Sequence, residues 1–477
     1  MKLDAHDLLL LAPLLLSATT AVAVMLAIAV KRHHPTAALI AAGGLGAAAA
    51  SAVWLLLRGD GGAVTALVFI DGIALLFMAL IAVTALGCVL LLAAYLDSYP
   101  GLREEAYILL SISVCGAMVL VSSAHLAAVF LGLELLSVPL YGLIAYTRNH
   151  RPALEAGIKY LVLSATASAV LLFGIALLYA DSGTLSLLAL GERAPGSSLV
   201  LLGTGLILVG IAFKLSLAPL HLWTPDVYQG APAPVGAFIA TVAKVAVFAL
   251  LLRLLVAIPQ PLIPSFQQLF LSLALLSILV GNLLALTQTN LKRLLGYSSI
   301  AHFGYLLLAV IAKLPTGLEA VLVYLVVYTT ATLGAFAVLA AMSQAGSERD
   351  ADQIDDIRGL FWRRPALAAI FALTMLSLAG IPLTAGFMGK FTLFAVGVQA
   401  KLWLLLAAMV IGSAIGVFYY LRVTVALFRR VEGAPTPEIR GAARWATGLV
   451  IAASGALVLV VGLYPQPMFD LVGYLLG

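Results

Sequence analysis

Residues 206–244 read LILVGIAFKLSLAPLHLWTPDVYQGAPAPVGAFIATVAK. The stretch starts as an apolar helix, yet it carries Lys214 inside the apolar run, and Pro219 and Pro225 follow within a dozen residues. Proline removes a backbone donor and clashes with the carbonyl four residues earlier, so the helix is expected to break near Leu215–His221. Thirty residues after Lys214, Lys244 sits in the middle of a second apolar helix. In hydrocarbon, broken backbone survives only where protein or a water-filled cavity surrounds it. Two lysines and a broken helix at that depth point to the movement of charge.

The surrounding chain sets that depth. Of its 477 residues, 63% are hydrophobic and only 10% charged, and the mean hydropathy is +1.13. Ordinary domains are roughly a quarter charged, so this is an all-α polytopic membrane protein, without the alternating strands of a barrel. The net charge of +5 is scattered through loops rather than gathered in a patch, which excludes a nucleic-acid surface. Cys88 and Cys115 lie mid-helix and suggest neither a disulfide framework nor a metal cluster. The first apolar run, Leu8–Val30, is longer than a signal-peptide core and lacks a clear cleavage site, so it reads as a retained helix.

Spans of about 20 apolar residues cross a bilayer, and fourteen are expected. They run 7–30, 36–57, 64–95, 105–122, 124–146, 154–180, 199–228, 231–257, 264–288, 293–312, 316–343, 365–396, 400–428 and 444–474. Loops after odd-numbered spans hold fifteen basic residues, including Lys31, Arg148, Lys292, Arg363 and Arg440. The other side holds Lys2, Arg58, Arg193, Lys313 and Lys401, with Arg253 near a helix end. Basic loops face the cytoplasm, so both termini are expected on the opposite side. The polar loop Gln344–Arg364 is then cytoplasmic, either touching a partner or serving as a solvated connector. LSLAP at 215–219 and LSLAGIP at 376–382 place two prolines 163 positions apart, about five helices with loops. Five is odd, so a second copy would sit inverted in the membrane.

Setting loops aside leaves Glu134, Lys159, Lys214, Lys244, Lys390 and Arg422 within spans, with Asp71 and Glu155 nearer helix ends. Each mid-membrane charge costs about 2.5–3.5 kcal/mol on the lenient insertion scale. Arg422 and Arg253 can reach the interface on long stems, as can Lys159, six residues into its helix. Lys214 and Lys244 lie too deep for that. Lysine in an apolar site gives up its proton more readily, and a nearby carboxylate opposes this. Glu134, in FLGLELLSVPLYG (130–142), is expected to pair with Lys214. Loosening the pair would send the proton on to Lys244 and then Lys390, beyond the second break. His221, at the first break, and His302, beside Ser298 and Ser299, are possible relays, whereas His125 opens a helix. No HxxxH, CxxC or GxxxxGK occurs, so metal hydrolysis and nucleotide binding lack support, and no spacing favours haem.

KLSLAPLHLWTPDVYQGAP (214–232), NLKRLLGYSSIAHFGY (290–305) and SLAGIPLTAGFMGKF (377–391) together resemble the antiporter-like membrane subunits of respiratory complex I, over nearly the whole chain. The resemblance implies fourteen helices with two inverted five-helix repeats, each containing a broken helix. It divides the chain into an N-terminal three-helix segment (1–104), two proton half-channels (105–260 and 261–431) and a C-terminal helix (432–477). It also implies a proton path through Glu134, Lys214, Lys244 and Lys390, with Lys159 a further lysine of the N-type branch. Lys390, where the M-type branch typically has glutamate, and the want of the L-type C-terminal extension both favour that bacterial branch. Such a subunit would be a non-redox part of a translocase in the bacterial inner membrane, with both termini periplasmic. It would carry no cofactor of its own; NADH, FMN, iron–sulfur clusters and quinone would act elsewhere in the complex. Its partners would be neighbouring membrane subunits and lipid. Cation/proton antiporter subunits of the Mrp type and membrane subunits of energy-converting hydrogenases share the pattern, and a purely structural spacer is the remaining reading.

Overall fold

A computed structural model describes residues 4–148, 150–192, 197–257, 262–312, 315–343, 349–430 and 444–476. Arg193, Lys313, Arg440, residues 344–348 of the polar loop and the segment boundaries near 261 and 432 lie outside the described residues. The chain opens with α1 (Ala5–Leu10), α2 (Ala12–Val30) and α3 (His34–Arg58), then a short antiparallel hairpin of β1 (Gly62–Ala63) and β2 (Phe69–Ile70). There follow α4 (Gly72–Leu96), α5 (Glu105–Val121), α6 (Leu126–Ile144), α7 (Arg151–Ser182), α8 (Leu187–Glu192) and α9 (Ser198–Lys214). After the first break come α10 (Trp223–Gly230), α11 (Ala233–Phe238), a π turn (Ile239–Ala243) and α12 (Lys244–Ala257). The second half runs α13 (Ile263–Leu286), α14 (Leu291–Ala312), α15 (Pro315–Met342), α16 (Leu360–Arg363) and α17 (Pro365–Ala379). It closes with α18 (Ala385–Gln399), α19 (Trp403–Phe428), α20 (Arg444–Leu463) and α21 (Gln466–Leu476).

Among the described residues, eleven helices are long and apolar enough to cross a membrane, and α5, α9 and α17 are shorter apolar ones. The last two end at the breaks, so each expected crossing has its helical counterpart. The last expected span, 444–474, is divided into α20 and α21, and one start differs. The third crossing starts at Gly72 rather than 64, because the Thr65 hydroxyl accepts from the Leu67 and Val68 amides and turns the chain into the hairpin. Asp71 then caps α4 through the Ala74 amide.

Burial orders the bundle. α14 is wholly enclosed, and α4, α12 and α15 are mostly so, while α2, α7 and α20 present most of their surface outward. A helix that is apolar all round belongs inside. The central helix α14, however, carries Ser298, Ser299 and His302. Polar groups are therefore gathered at the centre, and the apolar exterior faces lipid.

The breaks are satisfied by protein. At the first, the Ala218 amide donates to Ser277 on α13, and Trp223 Nε1 donates back to the Phe213 carbonyl. Ser216 takes a left-handed φ of 63° there. At the second, Gly380 has φ 85°, and the Gly386 amide donates to Ser377 Oγ at 3.0 Å. A Cβ on Gly386 would fall 1.6 Å from the Ser377 carbonyl oxygen, so only glycine permits this approach. The two halves pack alike: α5 lies on α6 as α13 lies on α14, and α7 touches both halves of its broken helix as α15 does.

The polar loop is not merely a solvated connector. Lys292 Nζ, with its side chain 3% exposed, meets Asp350 at 2.7 Å and Asp352 at 3.5 Å and donates to the Ala231 carbonyl. Tyr95 on α4 donates to the other oxygen of Asp350. This buried cluster ties the loop to α4, α14 and the junction between α10 and α11.

Candidate functional site

Lys214 is the last residue of α9, so the break leaves its side chain at the mouth of the interrupted helix. It is buried, and its Nζ donates to Ser137 on α6 at 2.6 Å and Ser164 on α7 at 2.7 Å. Tyr141 donates to Ser164 in turn, and the Tyr160 ring lies 5.8 Å from Nζ. The expected direct pair with Glu134 is absent: among the described residues no Glu134–Lys214 contact lies within 4.0 Å, and Glu134 Oε1 is buried without a hydrogen-bond partner. Glu134 and Ser137 are three apart on α6, hence on one face, and the serine holds the nearer position.

Lys244 follows directly after the π turn, a local widening that recurs at functional sites. It is 1% exposed. Its Nζ donates to Ser299 Oγ at 2.8 Å, with the Phe303 and Tyr228 ring centres at 4.9 and 5.7 Å. Ser299 shares a 2.7 Å bond with the Tyr328 hydroxyl. One turn along α14, His302 bonds Tyr324 through Nδ1 at 2.6 Å and Tyr420 through Nε2 at 3.2 Å. Of its expected neighbours, Ser298 reaches it through Tyr420, while the Tyr328 that bonds Ser299 meets the imidazole only ring to ring, at 5.4 Å. Lys390 is buried, donates to the Ala379 carbonyl that ends α17, and faces the Tyr305 ring at 5.5 Å.

The remaining sequence candidates divide. His221 is buried at the first break, 6.4 Å ring to ring from Tyr297, with Nδ1 unpartnered. Lys159 is no buried station: its side chain is 42% exposed and bonds Glu155 at 2.7 Å and Asp226 at 2.8 Å. Asp226 also holds Arg293. Arg253 and Arg422 do not simply extend to the interface. Arg253 binds Asp71 and the Val121 carbonyl, and Arg422 caps the end of α13 through the Leu286 and Gln288 carbonyls. His125 caps α6, as its place at a helix start suggests.

The arrangement is a set of buried amines and one imidazole, joined to neutral hydroxyls and one backbone carbonyl and flanked by aromatic rings. A family model described as NADH:quinone oxidoreductase/Mrp antiporter, TM, matches residues 123–416 of the chain, from α6 into α19. The chain is 56% identical over 419 residues to NADH-quinone oxidoreductase subunit N of Ectopseudomonas mendocina, covering 86% of this chain and 84% of that one. It belongs to this family, in the subunit N branch. A second family member, subunit N of Chromohalobacter salexigens, is 51% identical over 87% of this chain and 88% of its own. Among solved structures, a chain of respiratory complex I from Thermus thermophilus with bound aureothin is 37% identical, with a TM-score of 0.83 over 96% of this chain and 98% of that one. A chain of the Mrp complex from Dietzia sp. DQ12-45-1b superposes with a TM-score of 0.86 over 98% of this chain and 97% of its own, at 22% identity. That second likeness is one of fold.

Within the family fold, the residues that sequence reasoning missed are the hydroxyls: Ser137, Ser164, Tyr228, Tyr324, Tyr328 and Tyr420. A partial signal existed, since Ser137 and Ser299 each lie three residues from a chemically active neighbour, Glu134 and His302. The tyrosines carry no such mark.

Proposed function

We propose that this chain carries protons through the membrane arm of an NADH:quinone oxidoreductase, along Glu134, Lys214, Lys244, His302 and Lys390. The carrying observation is that three lysines, each buried, have neutral oxygens rather than carboxylates as hydrogen-bond partners. An intramembrane charge is costly and is retained where it moves ions. A structural lysine would be expected in a tight ion pair such as that of Lys292 with Asp350. Hydroxyls both donate and accept, so Ser299 with Tyr328, and Tyr324 with His302, can pass a proton in either sense.

In this reading the path runs from cytoplasm to periplasm in a bacterial inner membrane, with both termini periplasmic. The basic loops support that orientation. The half containing Lys214 and Lys244 forms one half-channel, that containing His302 and Lys390 the other. Lys159 with Asp226, and His221 at the break, flank the first as relays to the aqueous side. The subunit itself performs no redox chemistry. NADH, FMN, iron–sulfur clusters and quinone act in other subunits, and neighbouring membrane subunits are its contacts.

The test is NADH-driven proton pumping in inverted membrane vesicles with Lys244→Ala beside wild type, with assembly checked on a native gel. An assembled complex that loses both coupled turnover and the proton gradient supports the path. An assembled complex that pumps normally refutes it and leaves a scaffold.

A further inference from the structure

A cavity of about 790 Å³ opens between the end of α13, the segment 349–358 and the last turns of α19. It lies at one end of the bundle, apart from the lysine row. Four arginines line it against two aspartates. Arg349 is held by Asp356 through two bonds of 2.7 and 2.8 Å, and Arg358 by Asp355 at 2.9 Å. Among the described residues, the other two have no acidic partner. Arg422 donates only to backbone carbonyls, leaving its Nε buried without a partner, and Arg429 has no acidic partner among the described residues. Among the described residues, the cavity's lining therefore carries a surplus of positive charge, the sign that attracts a phosphate.

Its other wall is apolar and open. Phe418 and Val425, seven residues apart, are 63% and 54% exposed, and Ile411 continues the stripe along α19 at 55%. The level is that of a membrane–water boundary. Trp362 donates to the Phe428 carbonyl at the end of α19, and Arg430 stacks over its ring at 4.4 Å. A soluble anion would use the arginines and leave the stripe unused. A phospholipid uses both.

We propose that this cavity is a binding site for an anionic phospholipid, with its phosphate beside Arg422 and Arg429 and an acyl chain along Phe418 and Val425. Each basic residue near such a headgroup changes affinity by about fivefold.

The test uses the assembled complex and a phosphatidylglycerol bearing a photoreactive acyl chain, with label on the peptide spanning 403–430 measured by mass spectrometry. The expected result is saturable labelling that unlabelled phosphatidylglycerol displaces, and phosphatidylcholine and inorganic phosphate do not. Arg429→Gln should weaken half-saturation about fivefold, and Asp355→Asn, which frees Arg358, should tighten it about fivefold. Both side chains are at the surface, and a native gel checks assembly. Equal displacement by phosphatidylcholine would reduce the cavity to a patch of lipid-facing surface. Displacement by inorganic phosphate would make it a free-anion site. Labelling that responds to neither substitution would likewise overturn the proposal.

Discussion

Replacing Ser299 by alanine removes one oxygen from a position where it is the hydrogen-bond partner of Lys244 Nζ, at 2.8 Å. The lysine is 1% exposed, so bulk water does not replace the lost acceptor. What remains around Nζ is the Phe303 ring at 4.9 Å and the Tyr228 ring at 5.7 Å. A hydrogen bond from a charged donor contributes about 1.5–3 kcal/mol. That is a factor of roughly ten to a hundred in any step that needs the proton to rest on Lys244. The same change leaves the Tyr328 hydroxyl with the Ala240 carbonyl at 3.2 Å. The assay is NADH-driven quinone reduction together with vesicle acidification, normalised to assembled complex on a native gel. Ser299→Ala should lower both rates tenfold or more, while Ser299→Thr, which keeps the hydroxyl, should retain most of them. If Ser299→Ala pumps at the wild-type rate in preparations where Lys244→Ala abolishes pumping, the hydroxyl is not part of the path and the reasoning fails.

Glu134→Gln should stop pumping without lowering the melting temperature of the complex, because Glu134 makes no ion pair with Lys214 whose loss would cost several kcal/mol; a clear drop in melting temperature would count against this. Asp350→Asn should destabilise by about 3 kcal/mol, the low end for a broken buried pair, since Lys292 keeps Asp352 at 3.5 Å. Lys292→Met should be worse, as it takes the lysine from two buried carboxylates at once; differential scanning fluorimetry would rank the two. Gly386→Ala should abolish assembly, because its Cβ would meet the Ser377 carbonyl oxygen at 1.6 Å, whereas Gly448→Ala, with nothing within 4 Å, should be silent on the same native gel.

The breaks were legible because proline and glycine act locally: Pro219 and Pro382 fall where α9 and α17 give way. The deep lysines were legible because charge in an apolar run has few bland explanations. Partners were not. Lys214 took Ser137 and Ser164, from 77 and 50 residues away, instead of Glu134. Lys292 looked like a loop charge, since its acceptor Asp350 comes from 58 residues further on, and Lys159 finds Asp226 across 67. Such pairings depend on which faces of α6, α7 and α14 meet, and a helix apolar all round gives no periodic signal for that. The third crossing began late for a related reason. Val64–Ile70 is apolar enough to extend a helix, but the Thr65 hydroxyl and cross-strand pairing outcompete it.

The neutral lining of the lysine row has a consequence for traffic. Ser137, Ser164, Ser299 and the Ala379 carbonyl orient the amines but bring no countercharge. Two unit charges about 10 Å apart repel by roughly 1.7 kcal/mol at an effective dielectric of about 20. Carboxylates at these positions would park each proton where it arrived. In the proposed path, hydroxyls would leave successive loads free to evict one another, so the row would behave as a queue in which an arrival forces a departure. On that reading, the sense of flow would be decided by which end is open to water.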